Sequence, residues 1–242
     1  MPAPQITLSV VSHRQNALVN ELLEDVRRVC ADRVVLMHTE NVRDTVPLAT
    51  ARPGCPVEVL VNDQRKGFGA NHNAAFRRSR TPYFCVCNPD VRLRSDPFPA
   101  LLAAFADLSV GVVGPLVRSP DGRIEDSARR FPTPWTLLKK AVADRREPDY
   151  PTGAGVREVD WIAGMFMLFR SDAFRAVSGF DEAYFLYYED ADICRRLRRA
   201  GRSVLYVPGS EIVHDARRAS RRDLAHARHH LASALRFFLS AD

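Results

Sequence analysis

Apolar residues along this chain fall into short unbroken runs, separated by stretches where they recur every three or four positions. Ile6 to Val11, Arg33 to Met37, Val57 to Val61, Tyr83 to Cys87, Val110 to Val117, Met165 to Arg170 and Val204 to Val207 read as strands. Residues 16–31 (Leu18, Leu22, Val26, Val29), Phe68 to Ser79, Phe98 to Asp107 and Ala191 to Ala200 carry helical spacing, the last with Ile193, Leu197 and Ala200 on one face and Gly201 as its stop. Residues 221–239 form a basic amphipathic helix with Leu224, Leu231, Leu235, Phe238 and Leu239 apolar. Strands alternating with helices predict an α/β fold, a mostly parallel central sheet covered on both faces. Ligands of such sheets sit beyond the carboxyl ends of the strands. Asp90, just past Tyr83 to Cys87, occupies such an end, and so does Ser12-His13-Arg14. Between about Arg129 and Arg157 the pattern loosens, with Phe131, Trp135, Leu137 and Leu138 among prolines and basic residues, and reads as a flap.

The length of 242 residues suits one large core. No repeat or linker divides it, so residues 1–215 are expected to form one domain with the helix of 216–242 appended. No apolar run approaches the roughly 20 residues that span a bilayer, and the first residues lack the basic start and apolar core of a leader. Cys30, Cys55, Cys85, Cys87 and Cys194 are odd in number and form no C-x-x-C pair. This usage fits reduced thiols in a cytoplasmic protein rather than disulfides or zinc. The net charge of +6 is uneven, because eleven arginines crowd between Arg195 and Arg236. Such a field draws phosphates: nucleic acid, nucleotide or anionic lipid headgroups. Nucleic acid is disfavoured, because the arginines lack interleaved stacking aromatics. The C-terminal helix either packs on the domain, docks on an anionic membrane surface, or does both.

The chemistry concentrates in Gly179 to Asp192, where five carboxylates stand among six aromatic and large apolar residues. A solvated loop would not carry those aromatics, nor a buried strand those charges, so the segment predicts carboxylates held in a walled pocket. Glu189-Asp190-Ala191-Asp192 opens a helix and is either acidic capping or part of that pocket. Asp190 and Asp192 cannot point the same way, so one is expected to face the pocket while the other caps. Asn88-Pro89-Asp90 is either a plain turn or a carboxylate placed to hold Mg²⁺ or Mn²⁺ on a diphosphate. Lys66-Gly67-Phe68-Gly69-Ala70-Asn71-His72-Asn73 opens a helix whose N-terminus suits phosphate, although it matches no named phosphate loop. His214 precedes Arg217 and Arg218 and is either structural or close to the metal and diphosphate. Trp161-Ile162-Ala163-Gly164 ends in a glycine that is either a bend or room for substrate.

In order, Val10-Val11-Ser12-His13-Arg14, the Lys66 to Asn73 loop, Asn88-Pro89-Asp90-Val91, Val159 to Phe166, Gly179 to Cys194, Gly201 and His214 resemble the family 2 glycosyltransferases of GT-A (Rossmann-like) fold, especially their bacterial rhamnosyltransferase-like branch. The resemblance spans roughly residues 5–240. It implies an inverting, metal-assisted transfer from a nucleotide diphosphate sugar, first of all deoxythymidine diphosphate rhamnose. The acceptor it implies is a saccharide or polyprenyl-linked saccharide of cell-surface polysaccharide synthesis. Asp190 would match the catalytic base, Asp90 the last acid of the D-x-D motif with Asn88 in the first place, and His214 a late metal or diphosphate contact. Ser12, His13, Arg14, Lys66, Gly67, Asn73, Asn88, Asp90 and Arg217 are then expected on the donor, and Trp161, Gly164, Glu189 and Trp135 on the acceptor. Thr39-Glu40-Asn41-Val42 departs from the usual run that meets the nucleobase, and Glu40 takes that place. The implied location is cytoplasmic, peripheral on the inner face of the membrane. The competing readings are a non-catalytic nucleotide-sugar-binding domain and, less favoured, a nucleic-acid binder. A nucleotidyltransferase would need a Gly-rich N-terminal loop for a triphosphate, which is absent.

Overall fold

A computed structural model describes residues 4–50, 54–133, 148–153, 155–215 and 224–240. Strand β1 (Ile6–His13) lies parallel to β2 (Val34–Val42) on one side and β4 (Tyr83–Cys87) on the other, with β3 (Val57–Val61) beyond β2. Strand β10 (Phe166–Arg170) runs antiparallel to β4 and to β6 (Val110–Arg118), and β11 (Ser203–His214) returns parallel to β6. The short strands β5 (Val91–Arg92) and β8 (Arg157–Glu158) pair with β11, while β7 (Ala128–Arg129) and β9 (Trp161–Ile162) form a separate two-stranded ribbon. The sheet is thus mostly parallel, with β10 inserted in reverse.

Alternation along the strands builds a core on each face. Ile6, Leu8 and Val10 of β1 join Cys85 and Cys87 of β4 against α1 (Asn16–Val29), whose Val19, Leu22, Leu23 and Val26 are fully buried. On the other face Phe84, Val86, Met167 and Phe169 pack with Phe174 and Phe180. Thr7 and Ser9, which point to that face, are polar, and they bond outward. Thr7 Oγ1 lies 2.8 Å from Ser79 Oγ just past α2 (Phe68–Arg78), and Ser9 Oγ lies 2.8 Å from His72 Nδ1. The five cysteines are free and buried, with thiol pKa values raised by burial.

Two strands outrun their apolar runs. β2 continues through His38, Thr39, Glu40 and Asn41, and β11 continues past a bulge at 208–210 to His214. Polar side chains serving the site hide those extensions from an apolar count. Phe98 to Asp107 divides into α3 (Phe98–Ala103) and a 3₁₀ turn (Ala104–Ala106), and α4 (Ser171–Ala176) lies where no helix is predicted. Helix α5 (Glu189–Arg199) ends as expected at Gly201, which has φ +74°. Helix α6 (Leu224–Leu239) lies against α5, where Arg195 donates to the Phe237 carbonyl at 2.8 Å.

Candidate active site

The strand ends of β1, β2 and β4 open into a cleft of about 640 Å³. His13, Arg14, Lys66, Asn88 and Asp90 line it, as does Arg65, which the sequence reading does not single out. Phe185, Leu186 and Tyr187 close one side and Phe68 and His72 lie deep to it. The concentration of Arg14, Arg65 and Lys66 with a single carboxylate, Asp90, makes a surface suited to a diphosphate with a cation.

Three asparagines brace the basic loop. Asn41 Oδ1 accepts from the Lys66 N–H at 2.8 Å and from Asn62 Nδ2 at 2.8 Å, while Asn71 Nδ2 donates to the Gly67 carbonyl at 2.8 Å. Asn41 Nδ2 donates toward His13 Nε2 at 2.7 Å, so the proton of a neutral His13 ring sits on Nδ1. Burial first, and the Arg65 charge second, lower the His13 pKa and keep the ring neutral. Sequence spacing does not reveal this network, because the three asparagines come from separate segments.

Other expected donor residues have inward duties. Ser12 is fully buried, with its Oγ 2.8 Å from His38 Nε2 and donating to Asn16 Oδ1 at 3.1 Å. Glu40 Oε1 accepts from Asn16 Nδ2 at 3.0 Å and from the Asp44 N–H at 3.2 Å, so it ties β2 to the loop behind the cleft. Neither lines the cleft. Asn73 clamps Phe180, accepting its N–H at 2.9 Å and donating to its carbonyl at 2.8 Å, while also donating to Glu182 at 3.0 Å. It too stands apart from the cleft wall. Gly67 is a matter of room, because a Cβ there would lie 2.7 Å from the Phe185 carbonyl oxygen. That approach lets the Phe68 N–H donate to the same carbonyl at 2.9 Å, fastening the 184–188 segment over the loop.

Beneath the cleft, burial lowers the His38 pKa to about 4 and the His72 pKa to about 3, so both rings are neutral. In the unfolded chain each takes up a proton near pH 6.5. The unfolded state therefore binds more protons between those values and 6.5, and stability falls as pH drops through 6.5. At pH 5 each ring is expected to cost about 2 kcal/mol relative to pH 7. Urea midpoints for wild type and His72→Gln at pH 7 and pH 5 test this: the acid loss should shrink in the variant by about 2 kcal/mol. An equal loss in both proteins would refute it.

At the far corner His214 Nε2 lies 3.3 Å from Asp90 Oδ1, and its Nδ1 lies 3.0 Å from Glu125 Oε2. Burial acts to lower the His214 pKa, but the Asp90 and Glu125 carboxylates outweigh it and lift it to about 9. Glu125 is absent from the sequence reading, because it lies in the loop after β6. The His214 contact is an ion pair without hydrogen-bond alignment, and Asp90 Oδ1 is buried with no hydrogen-bond donor. Asn88 Nδ2 stands 3.5 Å from His214 Nε2. Asp90 Oδ1, ion-paired but accepting no aligned hydrogen bond, keeps a lone pair that fits a divalent cation. Among the described residues no group of three or more His, Cys, Asp or Glu forms a cage.

The second acidic site is built by strained backbone. Tyr187 and Tyr188 both have left-handed φ values, 73° and 67°, immediately before α5. Such bulky residues cost of order 1–3 kcal/mol each there and persist only where surroundings enforce them. The turn sets Asp190 against Gly164, whose N–H donates to Asp190 Oδ2 at 2.9 Å. A Cβ on Gly164 would stand 3.4 Å from both Asp190 Oδ2 and the Phe68 ring, so Asp190 lies behind Phe68 of the cleft wall, while neither Asp190 nor Gly164 lines the cleft itself. Glu189 is 5% exposed and its Oε2 has no partner. Burial raises both carboxyls, and the Asp190 charge adds to the rise of Glu189. The Gly164 and Ala191 N–H groups donate to Asp190, whereas Glu189 Oε2 has no hydrogen-bond partner, so the charge is favoured on Asp190 and the proton on Glu189.

Asp192 does not cap the helix. It is 4% exposed and pairs with Arg195 at 3.2 Å and Arg196 at 2.7 Å. Trp161 donates from Nε1 to the Arg130 carbonyl at 2.9 Å, under the Arg129 guanidinium at 5.0 Å, and so fixes the ribbon beside Gly164. Trp135 and Arg217, with most of the expected flap, lie outside the described residues.

A family model described as "Glycosyltransferase like family 2" matches residues 3–232. The chain is 31% identical to N-acetylglucosaminyl-diphospho-decaprenol L-rhamnosyltransferase of Mycobacterium tuberculosis, over 95% of this chain and 81% of that one. It is 32% identical to rhamnosyltransferase WbbL of Escherichia coli, over 96% and 92%. Among solved structures, the mannosyltransferase PcManGT from Pyrobaculum calidifontis, in complex with GDP-Man and Mn²⁺, superposes with a TM-score of 0.63 at 16% identity. That match covers 97% of this chain and 65% of the other. TarS residues 1–349 of S. aureus, in complex with UDP-GlcNAc, gives 0.63 at 11% identity, over 88% and 59%. The chain spans less than two thirds of either solved structure, and at these identities the likeness is one of fold.

Proposed function

The chain belongs to the glycosyltransferase like family 2 and is a glycosyltransferase, and from that premise we propose that it transfers rhamnose, with inversion, from deoxythymidine diphosphate rhamnose to a lipid-linked saccharide in cell-surface polysaccharide synthesis. The names of the two curated relatives support the sugar, and the decaprenol-linked substrate named for one supports the acceptor class. No helix among the described residues is long and apolar enough to cross a membrane. An acceptor of that kind is met at the inner face of the cytoplasmic membrane, so the protein works there as a cytoplasmic, peripheral enzyme.

The observation that carries the mechanism is the Asp190 carboxylate, fixed by the Gly164 N–H behind Phe68 of the cleft wall. The acceptor hydroxyl attacks the anomeric carbon from the face opposite the diphosphate, and Asp190 Oδ takes the hydroxyl proton as the new bond forms. Glu189, neutral, leaves Asp190 as the one ionised carboxylate of the pair. As the glycosidic bond to the diphosphate breaks, its charge falls toward Arg14, Arg65 and Lys66. Asp90 and, once deprotonated, His214 would hold Mg²⁺ or Mn²⁺, which supplies positive charge to the leaving diphosphate.

Thermal shift with thymidine, uridine and guanosine diphosphate sugars, with and without Mn²⁺, tests the reading. The thymidine donor is expected to give the largest shift, enhanced by the metal. Asp90→Ala is expected to weaken that donor roughly tenfold or more in Mn²⁺. A shift with another nucleotide alone would overturn the donor assignment, and unchanged affinity in Asp90→Ala would remove Asp90 from the metal.

A further inference from the structure

Helix α6 (Leu224–Leu239) has two faces with different fates. Ser233, Ala234 and Phe237 are buried against the domain, and Ser233 Oγ donates to the Leu186 carbonyl at 2.9 Å. His229 stacks on Phe185 with ring centroids 4.8 Å apart, and His230 packs on Tyr188 at 5.3 Å. This inner face therefore grips the 184–188 segment, whose Phe185, Leu186 and Tyr187 wall the cleft. The outer face carries Leu231, Leu235 and Leu239, spaced by four so that they align in one stripe. They are 63%, 55% and 82% exposed. Single exposed leucines are ordinary, but an aligned stripe of three on one helix is not required by folding.

The charge around the stripe identifies its occupant. Leu224–Leu239 contains no acidic residue, and Arg228 and Arg236 are exposed beside the leucines. Arg236 also pairs with Asp181 at 2.8 Å, which anchors the helix. A second copy of this chain is a poor partner. A two-fold contact would set these cations against themselves, and three leucines fall far short of the roughly 800 Å² per partner of a stable interface. An anionic bilayer surface meets both features, because leucines enter the boundary of headgroups and acyl chains while arginines meet the headgroups.

We propose that the outer face of α6 is a docking surface for anionic lipid bilayers, with Leu231, Leu235 and Leu239 as the inserted residues. The inner face of the same helix holds the cleft wall, so docking sets the cleft at the bilayer surface. This deepens the proposed reading, since a lipid-linked acceptor is presented there, but its test is independent of donor and acceptor.

The test is flotation of the full chain with vesicles of phosphatidylcholine alone or with phosphatidylglycerol. Wild type is expected to float with the phosphatidylglycerol vesicles and not with phosphatidylcholine alone. The triple variant Leu231→Gln, Leu235→Gln, Leu239→Gln is expected to lose that binding roughly tenfold or more. Donor thermal shift of the variant should match wild type, which shows the fold and cleft intact. Three outcomes would overturn the proposal: no flotation of wild type, equal flotation of the variant, or a concentration-dependent dimer that the three substitutions abolish. The last would assign the stripe to a second copy. Failure of donor binding with intact flotation would instead strike at the glycosyl-transfer reading alone.

Discussion

Asp190→Asn is expected to lower sugar transfer by about 10²–10⁴-fold, the range lost with a general base, while donor affinity is unchanged. The amide keeps the shape of the carboxylate, and its oxygen still accepts the Gly164 N–H that lies 2.9 Å from Oδ2. The substitution thus removes proton acceptance and little else. Glu189→Gln should behave differently, because Glu189 already holds a proton and an amide copies its neutral state. Burial raises the Asp190 pKa, and a base must be ionised to act. Transfer should therefore decline as pH falls through a value above the ordinary carboxylate range. Single-turnover rates across pH, with donor thermal shifts on the same preparations, check all three statements. Near-normal turnover in Asp190→Asn would show that another group takes the proton.

The alternation of apolar runs and helical spacing carries the sheet and its main helices into view, because buried strands must be apolar on both faces. It fails where strands leave the core to serve the site. His38, Thr39, Glu40 and Asn41 belong to β2, and His214 to β11, yet each breaks an apolar run. The site shows the same division. Asp90 and Asp190 are legible because a carboxylate after an apolar strand, or among aromatics, has few structural reasons to be there. Asn41, Asn62 and Asn71 are not, because their bonds around the Lys66 loop depend on β2, the end of β3 and α2 lying side by side. Nor is Glu125, which reaches His214 across 89 residues. Ser12, Glu40 and Asn73 were expected on the donor by their place in motifs, but their hydrogen bonds are spent inside the protein. Motif position reveals that a residue matters locally, and only the fold reveals whether it faces the cleft or holds the wall.

The neighbouring acid, Asp192, is expected to matter for stability instead. Its carboxylate is 4% exposed and binds two arginines that leave in different directions. Arg196 donates to the carbonyls of Val177 and Gly179, ahead of the 180–188 segment. Arg195 donates to the Phe237 carbonyl and lies over that ring at 4.0 Å, reaching α6. One carboxylate therefore joins α5 to the turn before the cleft wall and to the helix that grips that wall. Asp192→Ala leaves two partly buried cations without their counterion, a change that costs about 3–5 kcal/mol when a buried pair is broken. Urea denaturation should show that loss, with a smaller one in Asp192→Asn, which retains an acceptor oxygen. The folded fraction of Asp192→Ala should still turn over sugar, whereas Asp190→Asn should be stable and inactive. The two acids stand two residues apart on one helix, roughly 200° around its axis, so a shared role is geometrically excluded. A stable but inactive Asp192→Ala would reverse the assignment and place the base on the other face of α5.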